Sequence, residues 1–218
     1  SHSDVLFQNI QGAAPHLLLA GLVEVVLGAE ALDRFIGGGA PQAQAGTALG
    51  AVKGDRLAQQ LGVETVVMMS GLPGGCPEDR TPTWIVTSWP PETEEILRYQ
   101  WQVAVPAWRE LARRAADHGV ERIALEFHGW QLVYSAETLR RLRGEVGDIL
   151  GVNLDPSHLI WQGMDPIKVI RALGGDAIFH VHAKDTKIDP INAPIDGTLD
   201  ARPYTDEIHR SWIFRSIG

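Results

Sequence analysis

From residue 49 onward, the apolar positions of this chain alternate between helical and strand periods. Val63–Met69 (VETVVMM) is a short β-branched run and reads as a buried parallel strand. Glu92 to His118 carries apolar residues at helical spacing and is closed by Gly119, so it predicts a long amphipathic helix. Trp101 and Trp108 fall on it at near-helical spacing and read as packing residues. Glu121–Phe127 (ERIALEF) is the next strand. A helix over Ala136–Arg143 follows, with Ser135 as its N-cap. Asp148–Leu154 predicts a strand. Asp165–Leu173 predicts a helix capped by Asp165, with Pro166 in its first turn and Gly174 beyond its end. Asp176–His182 is the last predicted strand, and none is predicted over 188–218. Upstream, Asp55–Leu61 has helical spacing and stops at Gly62. Asp4–Phe7 and Leu22–Leu27 are strand-like, Pro15–Ala20 is a short helix, and 37–46 is a low-complexity loop. Residues 71–94 are rich in Pro and Gly and contain Trp84 and Trp89; a loop of this length reads as a lid or as a packed surface excursion.

Strand–helix alternation implies a parallel sheet, either doubly wound or closed as a (β/α)8 barrel. No Gly-rich nucleotide fingerprint follows any strand, which lowers the doubly wound reading. In both architectures the C-terminal ends of the strands lie on one face. Three consecutive strand ends carry metal-type side chains: Glu126, Asp155 and His182. Taken singly, these are an ordinary loop carboxylate, a turn residue before Pro156 and a core histidine. Their recurrence at three successive ends singles them out. Two carboxylates and an imidazole suit Mn²⁺ or Mg²⁺ first, and also Co²⁺ or Zn²⁺. His180 is in phase with His182 and is the rival ligand or a supporting residue. His158, one turn past Asp155, can reach a substrate hydroxyl. Lys184 can neutralise a developing enediolate or hold a substrate oxygen. His128, Trp130 and Trp161 are candidates to line the pocket, because aromatic rings stack on sugar faces.

Composition narrows the classes. The chain has 218 residues, 44% hydrophobic and 21% charged, which suits one soluble domain spanning 1–218. The net charge is −8 and no Lys/Arg run is present, which disfavours nucleic-acid partners. Cys76 is the single cysteine, so no intrachain disulfide forms; this fits a reducing compartment, and the expected location is cytoplasmic. The run Leu17–Leu27 is interrupted by Glu24 and is too short to span a bilayer, no signal peptide is visible, and no membrane partner is expected. Ser1-His2 resembles a tag remnant.

The stretches VETVVMMSGLPG, GVERIALEFHG, GVNLDPSHLIWQGMDP and IFHVHAKDTK resemble the sugar phosphate isomerase/epimerase family of the xylose-isomerase-like barrel superfamily. The resemblance covers roughly residues 55 to 190. It implies a (β/α)8 TIM-type barrel in which these four strands are the fourth to seventh. The third strand, with its His-Gly-Asn stretch, and the eighth, with a second metal-binding Glu, have no visible counterpart, so the barrel reads as incomplete. The resemblance implies one divalent metal ion, with Glu126, Asp155 and His182 matching three of its ligands and His158 matching a substrate-contacting histidine. It also implies a sugar isomerase or epimerase acting by proton abstraction next to a carbonyl, with Glu126, His158 and Lys184 as the catalytic candidates. The expected partners are a small sugar and a second copy of the chain as a homodimer. Alternatives within the superfamily are a metal-dependent C-glycoside-cleaving subunit and a degenerate, non-catalytic barrel. The metal-dependent apurinic endonuclease branch is disfavoured by the acidic balance and the sparse ligands.

Overall fold

In the computed structural model, residues 64–79 and 81–217 are described; the strands and helices predicted before residue 63 lie outside them. The elements run β1 (Thr65–Met68), α1 (Glu92–Asp117), β2 (Arg122–Glu126), α2 (Ala136–Val146), β3 (Leu150–Leu154), α3 (Pro156–Trp161) and α4 (Pro166–Leu173). They continue through a 3-10 turn (Gly175–Ala177) to β4 (Ile178–Val181), β5 (Asp185–Ile188), α5 (Ala193–Asp196) and β6 (Trp212–Arg215).

Strands β1 to β4 form one parallel sheet whose spatial order equals their chain order. A doubly wound sheet reverses its strand order at a switch point, and these four strands do not; this is the arc of a barrel wall. Helix α1 turns Trp101, Ala104, Trp108, Leu111 and Ala115 inward, one apolar stripe at helical spacing. These side chains share a core with Ile123 and Leu125 of β2, Leu150 and Val152 of β3, and Leu139 and Leu142 of α2. The Trp108 indole also donates to the Ser70 carbonyl at 3.1 Å, so the helix is pinned as well as packed.

The predicted caps form. Thr138 N donates to Ser135 Oγ at 3.3 Å, and Ser135 N donates back to Thr138 Oγ1 at 3.0 Å. Asp165 Oδ1 accepts from Ile167 N and Lys168 N at 2.9 and 3.2 Å. Boundaries shift where the turns are tighter than apolar spacing suggests. Helix α2 extends to Val146 before Gly147 turns at φ 125°, and β3 therefore begins at Leu150 rather than Asp148. The 3-10 turn takes 175–177, so β4 begins at Ile178.

Two strands arise where none was predicted. β5 and β6 pair antiparallel, with Thr186 opposite Phe214 and Ile188 opposite Trp212. Each has only four residues and neither shows a clean two-residue alternation, so the pairing is legible only once the chain brings them together. Thr186 Oγ1 donates to the Ser157 carbonyl at 2.8 Å and ties this hairpin to α3.

The long loop after β1 is a packed excursion. Gln100 of α1 is fully buried, and its amide donates to the carbonyls of Pro73 and Thr83, both at 2.7 Å. Gly71 N donates to Gln131 Oε1 at 2.8 Å. Trp84 packs edge-on to Tyr134 and Trp161. Among the described residues, no helix is long and apolar enough to cross a membrane.

The Phe179 ring of β4 lies against its neighbour β3 at position 151, which has no side chain. A Cβ built on Gly151 would stand 2.5 Å from ring atoms of Phe179. Gly151→Ala is expected to lower stability by about 1–3 kcal/mol, as overpacking of a fitted contact does, read as a fall in the urea midpoint with an unchanged m-value.

Candidate metal and active site

Parallel pairing puts the chemistry in two adjacent rows. In register, Glu126 lies beside Asn153, and Asn153 beside His180. One step further on lie Asp155 and His182, whose N–H donates to the Leu154 carbonyl at 3.0 Å and carries the ladder past the end of β4. Pro156 then opens α3, and Asp155 serves as its N-cap: its Oδ1 accepts from Ser157 N at 2.9 Å and from Ser157 Oγ at 2.6 Å. This uses one carboxylate oxygen and leaves Oδ2 facing the site.

The charged groups are crowded and dry. Glu126, Asp155 and His158 are 1%, 3% and 1% exposed. His158 Nε2 stands 3.0 Å from Glu126 Oε1 and 3.5 Å from Asp155 Oδ2. His182 Nδ1 stands 3.1 Å from Glu126 Oε2 and 4.0 Å from Asp155 Oδ2. Lys184 Nζ is 3.1 Å from Asp155 Oδ2 and 3.1 Å from His158 Nε2, and 4.3 Å from the Phe214 ring centre. Despite these neighbours, Glu126 Oε1 and Asp155 Oδ2 are buried and accept no well-aligned hydrogen bond. One donor atom each from Glu126, Asp155 and His158 lie within 4.8 Å of one another. Two buried carboxylate oxygens without directed donors, beside imidazole nitrogens, form a donor set that fits a divalent cation.

The local field favours positive charge. Burial pushes the Glu126 carboxyl up, but His158 and His182, standing 3.0 and 3.1 Å from its oxygens, outweigh it and hold the group below the usual carboxylate range. His182 is raised in return, chiefly by Glu126 against the opposing effect of burial, with Asp155 adding to it.

The structure brings Glu126, Asp155, His158, His182 and Lys184 together. His180 lies one row back and is exposed; its Nδ1 meets Asn153 Oδ1 at 2.9 Å, outside the carboxylate cluster. His128 stacks obliquely on His158, ring centres 4.3 Å apart, with Nδ1 at 2.6 Å from the Gly129 carbonyl. Trp130 is 53% exposed, with φ 62° in the left-handed region that non-glycine residues rarely adopt. Trp161 is 7% exposed, stacks on Trp212 at 5.0 Å and 8°, and donates from Nε1 to His158 Nδ1 at 3.3 Å.

Three contributors are not singled out by the sequence pattern. Asn153 Nδ2 donates to Glu126 Oε2 at 2.9 Å and lies 2.9 Å from His182 Nδ1, bridging the two rows. Its signal was the two-residue spacing to Asp155, which puts both on one face of β3. Ser157 steadies Asp155 within the same DPSH turn. Phe214 packs edge-on to His158 at 5.2 Å from the unpredicted β6, so no local pattern could have found it.

A family model described as "Xylose isomerase-like TIM barrel" matches residues 50–211, and the chain belongs to that family. It is 50% identical over 165 residues to "Uncharacterized protein YfiH" of Bacillus subtilis (strain 168), covering 74% of this chain and 52% of that protein. It is 30% identical over 100 residues to "Rhizopine catabolism protein MocC" of Rhizobium meliloti, covering 46% of this chain and 30% of that protein. The chain thus spans about half, or less, of the curated relatives it matches. Among solved structures, D-psicose 3-epimerase with D-tagatose from Clostridium cellulolyticum H10 shares the fold at a TM-score of 0.53 and 18% identity, covering 68% of this chain and 48% of that one.

Burial, followed by the charge of His158, holds the His128 imidazole down at about 4, against an ordinary value of 6.5. A lowered histidine pKa means that the unfolded chain takes up a proton before the native state does. Stability therefore falls as pH drops from about 6.5 towards 4, and His128→Gln should remove part of that slope. The His128 ring protons, followed by NMR, should titrate near pH 4; titration near 6.5 would contradict this placement.

Proposed function

We propose that the protein is a divalent-metal-dependent sugar isomerase or epimerase that moves a proton on the carbon next to a carbonyl. The observation that carries this reading is the pair Glu126 Oε1 and Asp155 Oδ2, buried together without directed hydrogen bonds beside two imidazoles and an ammonium. Membership of the xylose isomerase-like family and a fold shared with a D-psicose 3-epimerase support it.

Glu126 and Asp155, with an imidazole, would hold the cation, and Mn²⁺ or Mg²⁺ suits this oxygen-rich set. When bound, the cation supplies Lewis-acid polarisation of a carbonyl oxygen, which acidifies the adjacent C–H. The remaining work falls to side chains of this chain. A carboxylate kept ionised in a dry pocket, as Glu126 is, can take the carbon-bound proton and return it. Lys184 and His158 stand where negative charge would develop on the substrate oxygens and can stabilise it. Trp130, exposed and four residues past Glu126, would offer a face to an apolar side of the sugar.

The test is deuterium wash-in from solvent into a panel of ketohexoses, with and without Mn²⁺. Metal-dependent exchange is expected, and Glu126→Gln should lower its rate by at least about a hundredfold, as loss of a general base does. Exchange that persists unchanged in metal chelator, or in Glu126→Gln, would contradict the proposal. Asp155→Asn should weaken Mn²⁺ binding by about tenfold or more in equilibrium dialysis, while the capped helix still forms because Asn also caps.

A further inference from the structure

Two histidines, His158 and His182, compete for the imidazole role beside Glu126 and Asp155, and a proton decides between them. A neutral imidazole carries one N–H and one lone pair, and only the nitrogen with the lone pair can bind a cation. An indole N–H is a donor and nothing else. The Trp161 Nε1–H lies 3.3 Å from His158 Nδ1, three residues away on α3, with both side chains buried. His158 Nδ1 must therefore carry the lone pair, which places the proton on Nε2.

The surroundings of Nε2 agree. Carboxylate oxygens lie 3.0 and 3.5 Å from it, where a lone pair would be repelled and an N–H attracted. The opposing contact is Lys184 Nζ at 3.1 Å, which could donate to a bare Nε2. That arrangement moves the proton to Nδ1, where it meets the indole N–H head-on and leaves a buried donor unpaired. The ammonium has other partners, in Asp155 Oδ2 at 3.1 Å and the Phe214 ring at 4.3 Å, and its side chain is 30% exposed. Trp161 has no such freedom, since its ring is stacked flat on Trp212.

The geometry points to Trp161 as a positioning residue that locks His158 in the Nε2–H tautomer, so that His158 turns an N–H and not a lone pair toward Glu126 and Asp155. His182 is held less one-sidedly: Asn153 Nδ2, a donor, and Glu126 Oε2, an acceptor, stand 2.9 and 3.1 Å from its Nδ1, and its side chain is 33% exposed. What that N–H does at the site rests on the metal-dependent reading above. The tautomer itself does not.

The experiment is long-range ¹H–¹⁵N NMR on ¹⁵N-histidine-labelled protein near pH 7.5, with His158→Gln assigning the signals. The expected result is a single neutral Nε2–H tautomer for His158 in the metal-free protein. Trp161→Phe, which keeps an aromatic ring against Trp212, should convert that signal to a mixture or to Nδ1–H. An Nδ1–H tautomer in the unsubstituted protein would overturn the inference, as would an unchanged tautomer in a folded Trp161→Phe variant. ¹¹³Cd²⁺ is then added to the unsubstituted protein. Coupling from cadmium to a His182 nitrogen and not to His158 is expected, and coupling to His158 would overturn the assignment. If cadmium binds neither ring, the metal-dependent function fails, while the tautomer measurement still decides the role of Trp161.

Discussion

Two carboxylates buried side by side would repel each other and would each lose several kcal/mol of hydration, so Glu126 and Asp155 require compensation from everything around them. The sheet register brings the pair together, because β2 and β3 end one row apart. The rest of the site is arranged to offset that charge. Asn153 and Ser157 each satisfy one oxygen of the pair with neutral donors. His158, His182 and Lys184 supply positive or positively polarised groups within 4 Å. The compensation stops short of completion: one oxygen on each carboxylate receives charge without a directed bond. Those two open oxygens are where the proposed cation would bind.

The supporting architecture follows from the same requirement. Asp155 caps α3 through Oδ1, so the turn that starts α3 also aims Oδ2 into the cluster. Helix α3 then carries His158 back over the carboxylates and Trp161 against it one turn later. The β5–β6 hairpin is tied to α3 through Thr186 and lays Phe214 along Lys184 and His158, with Trp212 stacked under Trp161. Aromatic rings attract a cation without adding a formal negative charge, so they hold the ammonium near Asp155 without competing for it.

Much of this was legible in the chain, and the limits have physical causes. Parallel strands buried on both faces announce themselves as β-branched runs, and their ends must share a face, so Glu126, Asp155 and His182 could be placed together from order alone. The caps at Ser135 and Asp165 are local chemistry and were equally readable. What escaped was non-local. Asn153 reads as an ordinary strand polar residue until the register sets it between Glu126 and His180. Phe214 reaches the site only through an antiparallel pairing across more than twenty residues. Trp161 looks like a pocket-lining ring by composition, and only its indole direction, set by the Trp212 stack, gives it a partner in His158. The elements predicted before residue 63 lie outside the described residues.

The account stands on a cation meeting Glu126 and Asp155 at once. The most direct measurement is an anomalous difference map from crystals of the protein soaked in Mn²⁺. The account predicts one strong peak with oxygens of Glu126 and Asp155 both at about 2.0–2.3 Å and an imidazole nitrogen completing the set. A peak bound by neither carboxylate, or no peak at saturating Mn²⁺, would contradict it.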